Sequence, residues 1–120
     1  MGFFSQAVYE ELLRRAKAKD DTGVIKDACK DFIQYVYEVS DGENDLNTAV
    51  DADRSKISNY DSKRHTAHEN AISSASMLNR LASEYGLDPV YTGDISQRHQ
   101  VADFCLEFVS FLFTGRRRVL

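Results

Sequence analysis

One stretch decides the fold of this 120-residue chain, Asp103-Phe104-Cys105-Leu106-Glu107-Phe108-Val109-Ser110-Phe111-Leu112-Phe113. After Asp103, only Glu107 and Ser110 in it are polar. A helix that is apolar around nearly its whole circumference must be covered by other elements or by a second copy of the protein. The stretch is too short to cross a membrane, which requires roughly 20 apolar residues. We therefore predict that it forms the central helix of an all-α domain.

Apolar residues recur at helical spacing in three earlier segments, at about residues 2–19, 22–41 and 61–85. Gly42 and Gly86 follow the second and third segments, and glycine often ends a helix because it adopts the left-handed conformation without strain. The connections are short, which favours antiparallel neighbours. The sequence therefore predicts a single domain over the whole chain, folded as a helical bundle of four main helices.

The sequence is less regular at two places, the segment before the third helix and the start of the last helix. Residues 44–60 either form a fifth short helix between the second and third or extend the third helix, because apolar residues have helical spacing only at the start of this segment. Asp94 is expected to be the N-cap of the last helix, since Gln97 follows three residues later and would complete a pair that resembles a capping box.

The composition is that of a globular protein of the cytoplasm. Hydrophobic residues make up 42% and charged residues 28% of the chain, and the net charge of −4 argues against nucleic acid as a partner. No secretion signal or membrane-spanning stretch is visible, so we expect a cytoplasmic location and no membrane partner. Cys29 and Cys105 are accordingly predicted to be buried free thiols rather than a disulfide.

The densest group of chemically active side chains lies in the third helical segment and at the start of the fourth. Histidines three residues apart share one face of a helix, so two of them could reach one metal ion. However, the spacing is not that of the zinc-protease helix, and the paired Glu-x-x-His motifs of di-iron bundles do not occur. We therefore expect no metal and no cofactor. The candidate residues are Arg64, His65, His68, Glu69, Arg98 and His99.

One interpretation of this cluster is structural. Arg64 lies on the inward edge of its helix, and Arg98 lies one to three turns before Asp103 and Glu107. A buried arginine needs a charged partner, because an unpaired buried charge is costly. The sequence therefore predicts a polar layer in which these side chains join the two C-terminal helices and fix their register.

A second interpretation is nucleolytic. Arg64-x-x-x-His68 resembles, with one residue fewer, the pattern of small all-helical ribonucleases of the HEPN type, which carry an arginine, four to six residues and then a histidine. The resemblance implies an arginine that binds phosphate and a histidine that transfers protons. Arg98 is a third candidate for such a site.

Three segments carry a further resemblance, namely His68-Glu69-Asn70-Ala71-Ile72, Leu78-Asn79-Arg80-Leu81-Ala82 and Gly86-Leu87-Asp88-Pro89-Val90-Tyr91-Thr92-Gly93-Asp94. Together with Arg98 they are similar to a family of small all-helical bacterial proteins of unknown function, over residues 61–118. The resemblance implies a bacterial cytoplasmic protein with an α-helical fold, and it implies no activity.

The sequence leads to two functional hypotheses. The first is a non-enzymatic interaction or regulatory protein that acts as a homodimer, because the aromatic edge Phe111–Phe113 together with Phe3 and Phe4 would otherwise leave a large apolar patch exposed. The alternative is a small HEPN-like ribonuclease or related hydrolase that uses Arg64 and His68. The choice depends on whether the polar cluster is closed within the protein or open to a ligand.

Overall fold

The computed structural model describes residues 2–49 and 54–119, with side chains described outside residues 41–61 and 115–120. The described residues form four α-helices, which confirms the predicted all-α class. No helix in this part of the chain is long and apolar enough to cross a membrane. The helices are α1 (Gln6–Ala18), α2 (Thr22–Ala49), α3 (Arg54–Glu84) and α4 (Arg98–Val119).

The second and third helices are longer than the sequence predicts. Helix α2 continues through Gly42, where a helix end is expected, because a glycine inside a helix costs only about 1 kcal/mol relative to alanine. Of residues 44–60, residues 44–49 belong to α2 and residues 54–60 to α3, while residues 50–53 lie outside the described part of the chain. The described residues therefore contain no separate fifth helix.

The segment of residues 2–5 is extended, whereas the sequence predicts that helix one begins at about residue 2. The backbone N–H of Ser5 donates to the carbonyl oxygen of Val90 at 2.9 Å, and the N–H of Thr92 donates to the carbonyl oxygen of Phe3 at 2.9 Å. These bonds form an isolated antiparallel bridge. Residues 2–5 thus take their backbone partners from the linker between α3 and α4, and α1 begins only at Gln6.

The carboxylate of Glu107 holds the same segment against α4. Its Oε2 accepts hydrogen bonds from the backbone N–H groups of Phe3 at 2.9 Å and Phe4 at 3.1 Å. A Cβ atom added at Gly2 would lie 2.3 Å from Glu107 Oε1, so the segment approaches the carboxylate as closely as glycine allows. Glu107 is therefore committed to the backbone of residues 3 and 4 and is not a member of the predicted polar layer.

One face of α4 forms the centre of the core. Phe104, Cys105 and Phe108 are fully buried, and burial raises the pKa of the Cys105 thiol to about 12. The ring of Phe4 packs at 4.8 Å from the ring of Phe108. The opposite face is open, however, since Leu106 is 56% exposed in this chain. Within the described part of one chain, helix α4 is therefore covered on one side only, and of the two covers that the sequence predicts, other elements or a second copy of the protein, the first accounts for that side.

Asp94 has a different role from the predicted N-cap. Its Oδ1 accepts hydrogen bonds from the backbone N–H and the hydroxyl of Ser96 at 3.0 and 2.8 Å, and these bonds lower the pKa of the Asp94 carboxyl. The carboxylate thus closes a turn before the helix, because an aspartate readily bonds the backbone two residues ahead. The side chain of Gln100 accepts from the Asp94 N–H at 2.6 Å, and α4 begins at Arg98.

The end of α3 and the linker that follows it are fixed by two local devices. Gly86 has φ 73°, and the N–H of Leu87 donates to the Ala82 carbonyl at 2.8 Å, which completes the predicted glycine stop as a Schellman motif. The Asn79 side chain bonds both the N–H and the carbonyl of Tyr91, at 2.8 and 3.1 Å. These hydrogen bonds therefore fix the linker against α3 before the chain enters α4.

The two helix ends with positive φ allow a direct stability prediction. Asp20 ends α1 at φ 61°, a conformation that costs a residue with a Cβ atom roughly 1–2 kcal/mol relative to glycine. We expect Asp20→Gly to raise the free energy of unfolding and Gly86→Ala to lower it, each by about 1 kcal/mol, as measured by urea denaturation. Gly23→Ala is the control, because a Cβ at either Gly23 or Gly86 would meet no atom within 4 Å and only Gly86 has positive φ. Equal effects at both glycines would contradict this explanation.

Candidate functional site

Three helices contribute side chains to one groove with a volume of about 600 Å³. Helix α3 provides positions 64, 65 and 68, which share a face because residues three and four apart are neighbours on a helix. The first turn of α4 provides the facing wall, and α2 provides an aromatic side chain. The lining residues are Tyr35, Arg64, His65, His68, Arg98, His99 and Ala102.

The two arginines of the groove are exposed and have no carboxylate partner in the described part of the chain. Both ion pairs found there involve Glu11, with Arg14 and Arg15 of α1. Arg64 and Arg98 are exposed, so they do not form the buried polar layer predicted from the sequence. The physical reason is that the groove is open, and water rather than a carboxylate solvates the guanidinium groups.

His68 is the buried member of the site, with 7% of its surface exposed. Its Nδ1 lies 3.3 Å from the hydroxyl oxygen of Tyr35, and the two rings are 5.4 Å apart. Its Nε2 is shielded from solvent and has no hydrogen-bond partner among the described residues. Burial, followed by the nearby charge of Arg98, lowers the pKa of His68, so the imidazole is neutral at physiological pH.

The remaining candidate residues divide into two groups. His65 and His99 are exposed on the groove walls, one from α3 and one from α4. Glu69 is also exposed but lies outside the groove lining, and its charge acts on His68 by partly opposing the pKa decrease. The structure therefore brings together five of the six candidates from the sequence.

The side chains of the groove suit anions better than metal ions. Within the described residues, no three His, Cys, Asp or Glu side chains are arranged so that they could hold a metal ion. The groove instead combines two guanidiniums with three imidazoles, and it lies at the N-terminal end of α4, where the helix dipole favours negative charge. Arginine and helix N-termini are both common ligands of phosphate groups.

Sequence reasoning missed Tyr35 as a site residue. Tyr35 is three residues after Phe32 on α2, and both side chains are buried on the same helix face. Its spacing from Phe32 therefore predicts that the Tyr35 side chain is buried. No residue near Tyr35 in the sequence indicates that it contacts α3. The contact with His68 joins positions 33 residues apart, and it depends on the alignment of two helices.

Comparison with protein-family models, with curated protein sequences and with solved structures finds no match to this chain. The resemblances to HEPN ribonucleases and to small bacterial helical proteins therefore stay predictions. The geometry and charge of the groove are the features of the molecule that bear on its function.

The lowered pKa of His68 predicts how stability changes with pH. The unfolded chain takes up a proton near the ordinary histidine value of 6.5, whereas the buried imidazole resists protonation, so more protons are bound in the unfolded state below that pH. The contribution of His68 to stability is therefore fully present above pH 6.5 and decreases as the pH falls through the pKa of the folded state. We expect His68→Gln to reduce the slope of unfolding free energy against pH between about pH 5 and 7.5, as measured by urea denaturation.

His65→Gln is the matched control for this experiment, because His65 lies on the same helix and is exposed. If His68→Gln leaves the slope unchanged, or if both variants reduce it equally, the burial of His68 is not the cause of the change in unfolding free energy with pH.

Proposed function

We propose that this protein is a non-enzymatic binding protein whose groove recognises a small molecule that bears a phosphate group. One observation carries the proposal: Arg64 from α3 and Arg98 from α4 line the same groove, and neither has a carboxylate partner among the described residues. A guanidinium donates paired hydrogen bonds to phosphate oxygens. Two guanidinium groups on opposite walls of a groove can therefore bind one anion.

The size of the groove supports a small ligand. Its volume of about 600 Å³ lies within the roughly 300–1,000 Å³ that is usual for small-molecule sites. The net charge of −4 disfavours broad electrostatic attraction to nucleic acid, so the positive charge of the groove is local. The thiols of Cys29 and Cys105, which are not joined in a disulfide, suit the reducing cytoplasm that we propose as its location.

A second candidate function is the cleavage of RNA, and the unpartnered Nε2 of His68 favours it. In such a reaction the ribose 2′-hydroxyl attacks phosphorus and the 5′-oxygen leaves. The Nε2 atom would accept the hydroxyl proton, an exposed histidine would return a proton to the leaving oxygen, and Arg64 would bind the phosphate. This candidate requires a free lone pair on Nε2, whereas the binding function does not.

We also propose that the protein acts as a homodimer. Leu106 and Phe113 are 56% and 53% exposed, and they lie seven residues apart on the same side of α4. A second copy related by two-fold symmetry would cover the same stripe on both chains, and two-fold dimers are the most common soluble assemblies. Leu106 follows one turn after Ala102, which lines the groove, so the two grooves of such a dimer would border the interface.

Ligand binding can be tested with pyrophosphate and adenosine monophosphate by isothermal titration calorimetry. We expect Arg64→Gln and Arg98→Gln each to weaken binding by about tenfold or more, because each removes a charge-assisted hydrogen bond worth roughly 1.5–3 kcal/mol. Arg80→Gln is the control, since Arg80 is exposed on α3 but outside the groove lining. Absence of binding by the wild type at millimolar ligand, or equal weakening in Arg80→Gln, would refute the proposal.

The same variants distinguish the two candidate functions when they are incubated with a fluorescently labelled single-stranded RNA. Under the proposed binding function, the wild type leaves the RNA intact. Cleavage by the wild type and by Arg80→Gln, but not by Arg64→Gln or His68→Gln, would replace that function with the ribonuclease candidate.

The dimer can be tested by sedimentation equilibrium at micromolar concentration, where we expect about twice the chain mass of 13.6 kDa. Phe113→Asp and Leu106→Asp should give folded monomers. Dimer formation would bury the new carboxylate against the same side of α4 in the second copy, and a buried charge without a partner is costly. Met77→Asp is the control, since Met77 is 40% exposed on α3 and lies outside the stripe. A wild type that sediments as a monomer would exclude the dimer.

A further inference from the structure

Each wall of the groove carries an arginine that is followed directly by a histidine. Arg64 and His65 lie on the α3 wall, and Arg98 and His99 lie on the α4 wall. All four side chains are exposed, and none forms an ion pair with a carboxylate of the described residues. A guanidinium has only hydrogen-bond donors, and an imidazole has at least one ring N–H in every protonation state. The two walls therefore offer donors to one ligand from opposite sides.

The lining of the groove contains no carboxylate that would compete for these donors among the described residues. Glu69 follows His65 by four residues on α3, and Asp103 follows His99 by four residues on α4. Both carboxylates are exposed, lie outside the lining and form no ion pair in the described part of the chain. The donors of the groove are therefore available to an anionic ligand.

The number of terminal oxygens distinguishes two classes of phosphate at such a site. A guanidinium binds two oxygens along one edge of a phosphate, so two guanidiniums on opposite walls need two different edges. A phosphomonoester has three terminal oxygens and a charge of about −1.5 to −2 at neutral pH, and its oxygens define more than one edge. A phosphodiester has two terminal oxygens and a single negative charge. It therefore has one such edge and can bind one guanidinium in this way.

We propose that the groove is specific for a small phosphomonoester, with Arg64 on one edge of its terminal phosphate and Arg98 on another. The inference rests on the proposed binding function and names the class of its ligand. The internal phosphates of an RNA strand are diesters, so each of them can satisfy only one wall of the groove. The site thus selects the terminal phosphate of a small molecule over the interior of a nucleic-acid chain.

The ligand class can be tested by isothermal titration calorimetry with two nucleotides that differ in one methyl group. Adenosine monophosphate has three terminal phosphate oxygens, and its phosphate methyl ester has two. We expect the wild type to bind the monophosphate about tenfold or more tightly than the ester, because the methyl group removes an acceptor of a charge-assisted hydrogen bond.

The arginine variants show whether this preference comes from the two walls. In Arg64→Gln or Arg98→Gln one guanidinium remains, and both nucleotides can satisfy it. We therefore expect the monophosphate to lose about tenfold in affinity and the ester about twofold or less, so that the preference disappears. Arg80→Gln is the control, since Arg80 is exposed on α3 outside the lining, and this variant should keep the preference of the wild type.

Arg64→Lys separates the geometry of the arginine from its charge. Lysine keeps the positive charge but lacks the planar pair of donors that binds one edge of a phosphate. We expect the preference for the monophosphate to fall in Arg64→Lys nearly as far as in Arg64→Gln.

Three results would overturn this inference while the proposed function remains. They are equal binding of adenosine monophosphate and its methyl ester by the wild type, a preference that is undiminished in Arg64→Lys, and binding of pyrophosphate without binding of adenosine monophosphate. The second result would assign the preference to charge alone. Failure of the wild type to bind either pyrophosphate or adenosine monophosphate would refute the proposed function as well.

Discussion

The packing of Phe32 from α2 against two phenylalanines of α4 is the interaction on which the rest of the structure depends. The Phe32 ring lies 5.1 Å from the ring of Phe104 and 4.9 Å from that of Phe108, the first contact being nearly edge-to-face. Edge-to-face pairs are directional, so they fix the rotation of α4 about its axis as well as its distance from α2. That rotation brings the first turn of α4, with Arg98 and His99, opposite the histidines of α3.

Helix α3 contributes small side chains to the core and larger polar side chains to the groove. Small side chains such as Ala67, Ala71 and Ala75 are buried and allow α2 to approach closely. The Ser74 hydroxyl donates to the Asp31 carboxylate at 2.5 Å, which adds a satisfied polar contact between the same two helices. His68 is buried against this packed face and also borders the groove, so one side chain belongs to both the core and the candidate site.

The features that local chemistry determines were predictable from the sequence. The glycine stop at Gly86 and the clustering of active side chains at Arg64 and His68 follow from residues within a few positions of each other. The extended segment of residues 2–5 was not predictable, because its partners are Val90, Thr92 and Glu107. Phe3 and Phe4 have helical spacing with later apolar residues, and only tertiary pairing overrides that pattern.

The candidate site also combines features that are predictable from the sequence with features that are not. The residue types and their chemistry can be read from the sequence, and so can the shared helix face of Arg64 and His68. The open state of the groove cannot, because a buried ion pair with Glu107 was equally compatible with the spacing. Glu107 is instead engaged by the backbone of Phe3 and Phe4, a competitor that no local pattern indicates.

The attachment of residues 2–5 also sets the order in which the protein can be completed during translation. The Phe3 amide and the Glu107 carboxylate that binds it are 104 positions apart, so the ribosome makes the donor long before the acceptor. Throughout that interval the Phe4 ring lacks Phe104 and Phe108, against which it packs in the folded protein. The nascent chain therefore carries the Phe4 ring without these two partners until α4 has left the exit tunnel.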